Sequence, residues 1–148
     1  MADQVTRSIT VQGSVRDVFS AWASFEAFPV FMRHIKSVTH TGDRTTHWVA
    51  HGALGREVEW DAETTRFDQD KRIAWRSTEG SQIKTSGQVT FNDLENGQVD
   101  VTVTMQWVIP ATLGGETLAD LIANPGKRLE EDLRHFKAYV EHRVVARV

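Results

Sequence analysis

The chain has 148 residues, of which 40% are hydrophobic and 25% are charged, a balance typical of a soluble globular protein. Its net charge of −3 gives no indication of a nucleic acid or an anionic membrane as a partner. The absence of cysteine excludes disulfides, thiolate catalysis and cysteine-ligated zinc. The length suits one domain over residues 1–148, and the lack of cysteine fits a reducing cytoplasm, which is the expected location. No apolar run reaches the ~18 residues of a membrane span or forms a leader at the N-terminus.

The N-terminal part of the sequence predicts a strand followed by two short helices. Alternation over Val5–Val11 indicates the strand. Ser14 is a candidate helix N-cap, because apolar residues follow it at helical spacing: Val15, Val18, Phe19 and Trp22. A second short helix is expected at about Phe25–Met32, with Pro29 in its first turns.

Six further segments have the alternation of strands, and short turns rich in glycine and aspartate separate them. They are Ile35–Thr41, Thr45–Gly52, Glu57–Phe67, Arg72–Thr78, Gln82–Asp93 and Gln98–Trp107. Since each connection is short, neighbouring strands should pair antiparallel.

The register of two of these hairpins can be predicted, because apolar residues should share one face of the sheet and polar residues the other. A two-residue turn at Gln69-Asp70 pairs Phe67 with Arg72 and Glu63 with Arg76. It places one set of apolar residues on a common face: Val58, Trp60, Ala62, Ile73 and Trp75.

The second hairpin turns at Asn96-Gly97. A two-residue turn would put apolar and polar residues on the same face, so we predict a three-residue loop, Glu95–Gly97, with Gly97 left-handed. In that register the inward residues are Gly87, Val89, Phe91, Val101, Val103 and Met105.

Tryptophan is unusually frequent, with five residues against one tyrosine. Most of them lie in predicted strands, which is consistent either with plain core packing or with a wide aromatic pocket. In the strand before Gly55, either Trp48 and Ala50 face inward or His47, Val49 and His51 do. We favour Trp48 and Ala50.

The C-terminal part is helical by pattern. A short apolar segment contains Leu113, Leu118, Leu121 and Ile122, and Asn124-Pro125-Gly126 ends it. An amphipathic helix then runs from about Pro125 to Arg143, with its apolar stripe formed by Leu129, Leu133, Phe136 and Val140.

These elements make an α+β domain, in which a curved, seven-stranded antiparallel sheet wraps around the long C-terminal helix. A helix across the concave side of such a sheet can enclose a cavity. The expected architecture therefore supplies a place for a small molecule.

Several stretches resemble one known family: Phe25–Ile35 leading into Ser37-Val38, Trp60–Glu63, Ile73–Ser77, Gly87–Phe91 and Leu129–Lys137. They are similar to START-type lipid-binding domains and, more closely, to the polyketide cyclase/dehydrase and coenzyme-Q-binding group of the SRPBCC superfamily. The likeness covers about Val5 to Arg143. It implies a helix-grip fold and a cavity for a hydrophobic ligand, and it carries over no catalytic residue.

The polar residues define no catalytic or metal site. On a strand, His47 and His51 lie ~13 Å apart and cannot share one ion. His34 and His40 have no obvious partners. The row of carboxylates that begins at Glu57 is expected on the outer face, with Glu63 opposite Arg76. Since no nucleophile elbow or phosphate-binding loop occurs, we assign no catalytic residue, no metal and no cofactor.

The leading hypothesis is that the protein binds a hydrophobic small molecule, such as a lipid, a quinone, a polyketide or another aromatic compound, between the sheet and the terminal helix. The expected cavity residues are Trp48, Trp60, Trp75, Ser77, Thr85, Phe91, Val103, Met105, Trp107, Leu129, Leu133 and Phe136. A cyclase or dehydratase acting in the same cavity is the first alternative, and a ligand-free interaction module is the second. A monomer or a homodimer is expected.

Overall fold

The computed structural model describes the backbone of residues 3–51, 57–81, 83–108 and 125–146. It describes the side chains of residues 4–51, 57–81, 83–106 and 126–142. The predicted apolar segment around Leu113–Ile122 lies outside the described residues.

The elements follow the predicted order. In the N-terminal part they are β1 (Asp3–Gln12), α1 (Val15–Ala23), a 3₁₀ helix (Phe25–Ala27) and α2 (Phe28–Phe31). The meander consists of β2 (Ile35–His40), β3 (Thr45–His51), β4 (Glu57–Asp68), β5 (Arg72–Ser77), β6 (Lys84–Asp93) and β7 (Gln98–Val108). The described part ends with α3 (Pro125–Ala146).

The seven strands form one antiparallel sheet in the order β1-β7-β6-β5-β4-β3-β2. Each meander strand pairs with its neighbour in sequence, and β1 closes the order by pairing with β7. The sheet curls into a half-barrel, and α3 packs against β1, α1 and α2. This is the predicted helix-grip fold, and its α+β class is confirmed.

The predicted cap of α1 is present. The Ser14 hydroxyl accepts a hydrogen bond of 3.1 Å from the backbone N–H of Asp17, which satisfies one of the free donors at the start of a helix. The second predicted helix is divided into the 3₁₀ helix and α2, and Pro29 lies in the first turn of α2, where its missing N–H is tolerated.

The hairpin between β6 and β7 has the predicted register. Phe91 pairs with Val101 and Val89 pairs with Val103. Gly97 is left-handed, with a φ of 71°, and the N–H of Leu94 donates to the carbonyl of Gln98 at 2.9 Å. The three-residue loop is therefore confirmed.

The hairpin between β4 and β5 has a different register near its turn. Phe67 pairs with Ile73 and not with Arg72, so the predicted two-residue turn is wrong. The loop has a third residue, and a bulge at Thr65 restores the predicted pair of Glu63 with Arg76. Because the bulge absorbs one residue, the apolar residues still share one face.

The core fills the space between the concave side of the sheet and the helices. Trp48 and Ala50 are buried, which confirms the favoured orientation of β3. The largest completely buried side chains are Trp22, Phe19, Phe31, Phe136, Ile73 and Leu133. No described helix combines the length and the apolar character that crossing a membrane would require.

The packing predicts the effect of truncating Phe136, which is 0% exposed and contacts Trp22 and Phe31. Phe136→Ala should lower the free energy of unfolding by about 3–5 kcal/mol, since it removes ring contacts and leaves a cavity. Val30→Ala is the control, because Val30 is 67% exposed and its truncation should cost no more than ~0.5 kcal/mol. Urea unfolding of the three proteins measures both values, and similar losses in the two variants would contradict this packing.

Candidate ligand cavity

A cavity lies between the concave face of the sheet and the helices. Its wall is mostly apolar and includes five aromatic side chains: Trp22, Phe28, Trp48, Trp60 and Trp75. Aliphatic and thioether side chains complete the apolar part: Met32, Ile35, Ala50, Val58, Ile83, Met105 and Leu129. The polar wall residues are His34, His51, Thr85 and Asp132.

The cavity is small and partly open to solvent. The centre of a water-sized sphere can move through about 50 Å³ of it, and the space between its wall atoms, including the opening to solvent, is about 760 Å³. Since one water needs at least ~10–15 Å³ on the first scale, the cavity accommodates a few waters. A larger ligand would extend into the mouth.

Two tryptophans from neighbouring strands form one side of the wall. Trp48 and Trp60 are directly paired across β3 and β4, and their rings stack at 5.8 Å with an angle of 13°. The indole N–H of Trp48 donates to the Thr46 hydroxyl at 2.8 Å, so this polar atom is satisfied within the protein. Phe28 of α2 packs against Trp48 at 5.4 Å, which joins the helical side of the wall to the sheet.

Trp75 occupies space that a glycine leaves open. Gly87 pairs with Trp75 across β5 and β6. A Cβ atom at Gly87 would lie 2.7 Å from Cζ2 of Trp75 and 2.8 Å from the carbonyl oxygen of Thr104. The glycine therefore lets the Trp75 ring lie flat against the sheet at the cavity wall.

A histidine and an aspartate form the polar end of the wall. The Nδ1 atom of His34 lies 3.4 Å from the Oδ2 atom of Asp132 on α3, and their side chains are 11% and 6% exposed. His34 Nδ1 has no hydrogen-bond partner among the described residues. The expectation that His34 lacks a partner therefore needs correction, because the fold brings it within ion-pair distance of Asp132.

Burial controls the protonation of this pair. It lowers the pKa of His34 from 6.5 to about 4, and the nearby charges of Arg128 and His51 act in the same direction. Burial also raises the pKa of Asp132 to about 7, against the effect of Arg128 and with that of Glu131. Near pH 7, His34 is therefore neutral and Asp132 is close to half-ionised.

Six of the residues expected at the cavity are in its wall: Trp48, Trp60, Trp75, Thr85, Met105 and Leu129. Others lie elsewhere. Ser77 accepts a hydrogen bond of 3.0 Å from the backbone N–H of Thr85, and Phe91 packs edge-to-face on Phe19. Val103 is fully buried in the core away from this wall. The side chain of Trp107 lies outside the described residues.

Leu133 and Phe136 are also buried, but they are not in the cavity wall. Phe136 packs on Trp22 of α1 and Phe31 of α2. The apolar stripe of α3 thus serves two purposes, because Leu129 borders the cavity while Phe136 packs against the shorter helices.

Several residues of the cavity wall are not among those predicted from the sequence, including Trp22, Phe28, Met32, His34 and Asp132. One signal was available in the sequence. Asp132 lies three residues after Leu129 and one before Leu133, so helical periodicity places this carboxylate on the apolar stripe of α3. A carboxylate at a buried position is a candidate functional group.

Charged residues cover the outer face of the sheet. Arg76 donates to Glu63 at 2.7 Å, which confirms the predicted pair. His47 contacts Asp61 at 2.9 Å and Glu59 at 3.0 Å, and these carboxylates raise its pKa. Among the described residues, no group of three or more histidines and carboxylates is arranged to hold a metal ion.

The fold and the cavity together define the class of helix-grip proteins, in which a curved sheet and a terminal helix surround an internal space. Residues 11–135 match the family model of polyketide cyclase / dehydrase and lipid transport proteins. The chain belongs to this family, as the resemblance in its sequence predicted.

Individual relatives support the assignment. The chain is 31% identical over 140 residues to an uncharacterized 17.2 kDa protein from the melC2-rnhH intergenic region of Streptomyces lincolnensis, covering 95% of this chain and 91% of that protein. The structure of DR_A0006 from Deinococcus radiodurans is similar, with a TM-score of 0.74, 27% identity and coverage of 92% and 95% of the two chains. The Zhui aromatase/cyclase from Streptomyces sp. R1128 has the same fold, with a TM-score of 0.71, 19% identity and coverage of 97% and 96%.

The protonation of His34 and Asp132 predicts opposite pH effects for two variants. The pKa of Asp132 rises on folding from 3.8 to about 7, so ionisation of Asp132 lowers stability progressively between these pH values. Asp132→Asn removes this loss, and its stability relative to the unmodified protein should increase with pH. The pKa of His34 falls on folding from 6.5 to about 4, so deprotonation raises stability over that range. His34→Gln removes this gain, and its relative stability should decrease with pH.

Urea unfolding between pH 4.5 and 6.5 measures both effects. The free energy of unfolding of each variant, relative to that of the unmodified protein, should change by about 1 kcal/mol per pH unit. The reason is that the folded and unfolded states differ by about one bound proton at the substituted residue. Relative stabilities that change with pH in the same direction in both variants would contradict the assigned protonation states.

Proposed function

We propose that the protein binds an apolar, aromatic small molecule in the cavity between the sheet and the C-terminal helix. The observation that carries this proposal is the wall itself, in which five aromatic side chains surround a space that leads to solvent. An apolar wall with a few polar groups is the usual composition of a small-molecule site. Membership in a family of polyketide cyclase / dehydrase and lipid transport proteins supports a hydrophobic ligand.

The aromatic wall favours a ring as the buried part of the ligand. The stacked Trp48 and Trp60 present an extended aromatic surface to the cavity. An aromatic ligand would gain both burial of apolar area and favourable ring contacts there. A second ring or a chain would lie in the mouth.

A matched pair of substitutions tests this proposal. Ala50 is 6% exposed and lies in the cavity wall, so Ala50→Leu should fill the enclosed space and weaken binding of 2-methylnaphthalene at least tenfold. Ala74→Leu is the control, because Ala74 alternates with the inward-facing Ile73 and Trp75 on β5 and is not part of the wall. Its affinity should stay within about twofold of that of the unmodified protein.

Equilibrium dialysis gives the dissociation constants, and circular dichroism melts show whether each variant folds. Undetectable binding to the unmodified protein, or equal binding by both variants, would contradict the proposal.

A second candidate is a cyclase or dehydratase activity in the same cavity. The specific observation in its favour is the buried His34 and Asp132 pair in the wall. A carboxylate with a pKa near 7 is suited to remove a proton next to a ketone carbonyl and to return it. Deuterium exchange into the α-carbon of 2-tetralone, followed by NMR, tests this candidate. Acceleration by the protein that Asp132→Asn abolishes would support it, and exchange at the uncatalysed rate would contradict it.

The other expectations remain proposals: one domain over residues 1–148, a cytoplasmic location, and a monomer or homodimer without nucleic acid. Native mass spectrometry of freshly purified protein would report subunit number and any bound ligand together.

A further inference from the structure

We propose that the polar end of the cavity, formed by Trp22, His34 and Asp132, recognises a hydroxyl group on the aromatic ligand. This inference rests on the proposed ligand-binding function and narrows the ligand class from aromatic hydrocarbons to phenols. Three observations support it: an indole N–H and an imidazole nitrogen that have no hydrogen-bond partner among the described residues, and a buried carboxyl group, all carried by residues of one cavity wall.

Trp22 supplies the unpaired indole N–H. The residue is 1% exposed, and its Nε1 atom has no hydrogen-bond partner among the described residues. Leaving a buried donor unsatisfied costs about 1–3 kcal/mol. A ligand oxygen that accepts this hydrogen bond would recover that free energy. Trp48, in the same wall, differs because its N–H is already bonded to Thr46.

Trp22, His34 and Asp132 all border the cavity, and their contacts converge on neighbouring turns of α3. The Trp22 ring contacts Phe136 at a centroid distance of 5.0 Å. Phe136 is one helical turn after Asp132 on α3, so both residues are on the same side of that helix. Asp132 in turn lies 3.4 Å from His34. Trp22 and His34 therefore approach the same turns of α3.

A hydroxyl group fits these partners better than any purely apolar group. It donates one hydrogen bond and accepts others. Its O–H can donate a hydrogen bond to the Asp132 carboxylate, and its oxygen can accept a hydrogen bond from the N–H of Trp22 or of His34. A methyl group of similar size does neither, and it leaves the indole N–H of Trp22 and Nδ1 of His34 without a hydrogen-bond partner among the described residues.

The charge on Asp132 should set the strength of this recognition. Arg128 and Glu131 on α3, together with His51 on β3, are the titratable or charged groups that act on the pair of His34 and Asp132. Since His34 is neutral near pH 7, the ionised fraction of Asp132 is the quantity that changes. An ionised carboxylate accepts a stronger hydrogen bond than a protonated one. The preference for a hydroxyl group should therefore increase from pH 6 to pH 8.

Two isosteric probes test the inference on the full chain. Equilibrium dialysis should show that 2-naphthol binds about tenfold more tightly than 2-methylnaphthalene at pH 8, with a smaller ratio at pH 6. Trp22→Phe, which keeps an aromatic ring but removes the N–H, should reduce the ratio at pH 8 at least threefold. Asp132→Asn should make the ratio independent of pH.

Trp48→Phe is the matched control. It removes a wall N–H that is already bonded within the protein, so it should change both affinities by similar factors and leave their ratio intact. Circular dichroism melts check the fold of each variant. The comparison of the two probes on the unmodified protein remains informative even if a variant does not fold.

Each possible outcome decides the question. Equal binding of the two probes to the unmodified protein would overturn the inference while the proposed function stands. A ratio at pH 8 that survives in Trp22→Phe, or a pH dependence of the ratio that survives in Asp132→Asn, would also overturn it. If neither probe binds, the proposed function fails together with the inference. A preference that depends on Trp22 and Asp132, but not on the N–H of Trp48, supports it.

Discussion

The contact between Trp22 and Phe136 is the interaction on which the rest of the structure depends. The two rings meet edge-to-face at 5.0 Å, and both side chains are completely buried. Phe31 packs on both, so one aromatic cluster joins α1, α2 and α3. This cluster holds the terminal helix at a fixed position over the curled sheet. Because the helix is held there, the concave face of the sheet is covered and a space remains between the two layers.

The composition of that space follows from the same arrangement. The sheet contributes Trp48, Trp60 and Trp75, and the helices contribute further rings together with the buried carboxyl group of Asp132. Burying His34 and Asp132 costs stability, and the opposite shifts of their two pKa values reflect that cost. Perturbed pKa values cluster at functional sites. The polar end of the cavity is therefore where the proposed ligand recognition would offset a cost in stability.

The fold could be predicted from the sequence to a large extent, and the cavity only in part. The alternation of apolar and polar residues identifies the inward face of each strand. The β6–β7 register follows, because only a three-residue loop with Gly97 places the apolar residues of both strands on one face and the polar residues on the other. The bulge at Thr65 has no such signature, since it leaves the faces unchanged. Periodicity showed which side of α3 is buried but not which neighbour covers each residue. Phe136 was therefore expected at the cavity, and the approach of His34 to Asp132, 98 positions apart in sequence, was missed.

The most direct test of the central claim is to locate a bound ligand with respect to two methionines. Met32, next to α2, and Met105, on β7, lie in the same wall and come from opposite layers of the fold. Methyl-labelled methionine and NMR would detect nuclear Overhauser effects from bound 2-methylnaphthalene to these side chains. A ligand between the sheet and the helices should show nuclear Overhauser effects to the methyl groups of both methionines. Both nuclear Overhauser effects should disappear in Ala50→Leu. A ligand that binds without an effect to either methyl group would contradict the claim.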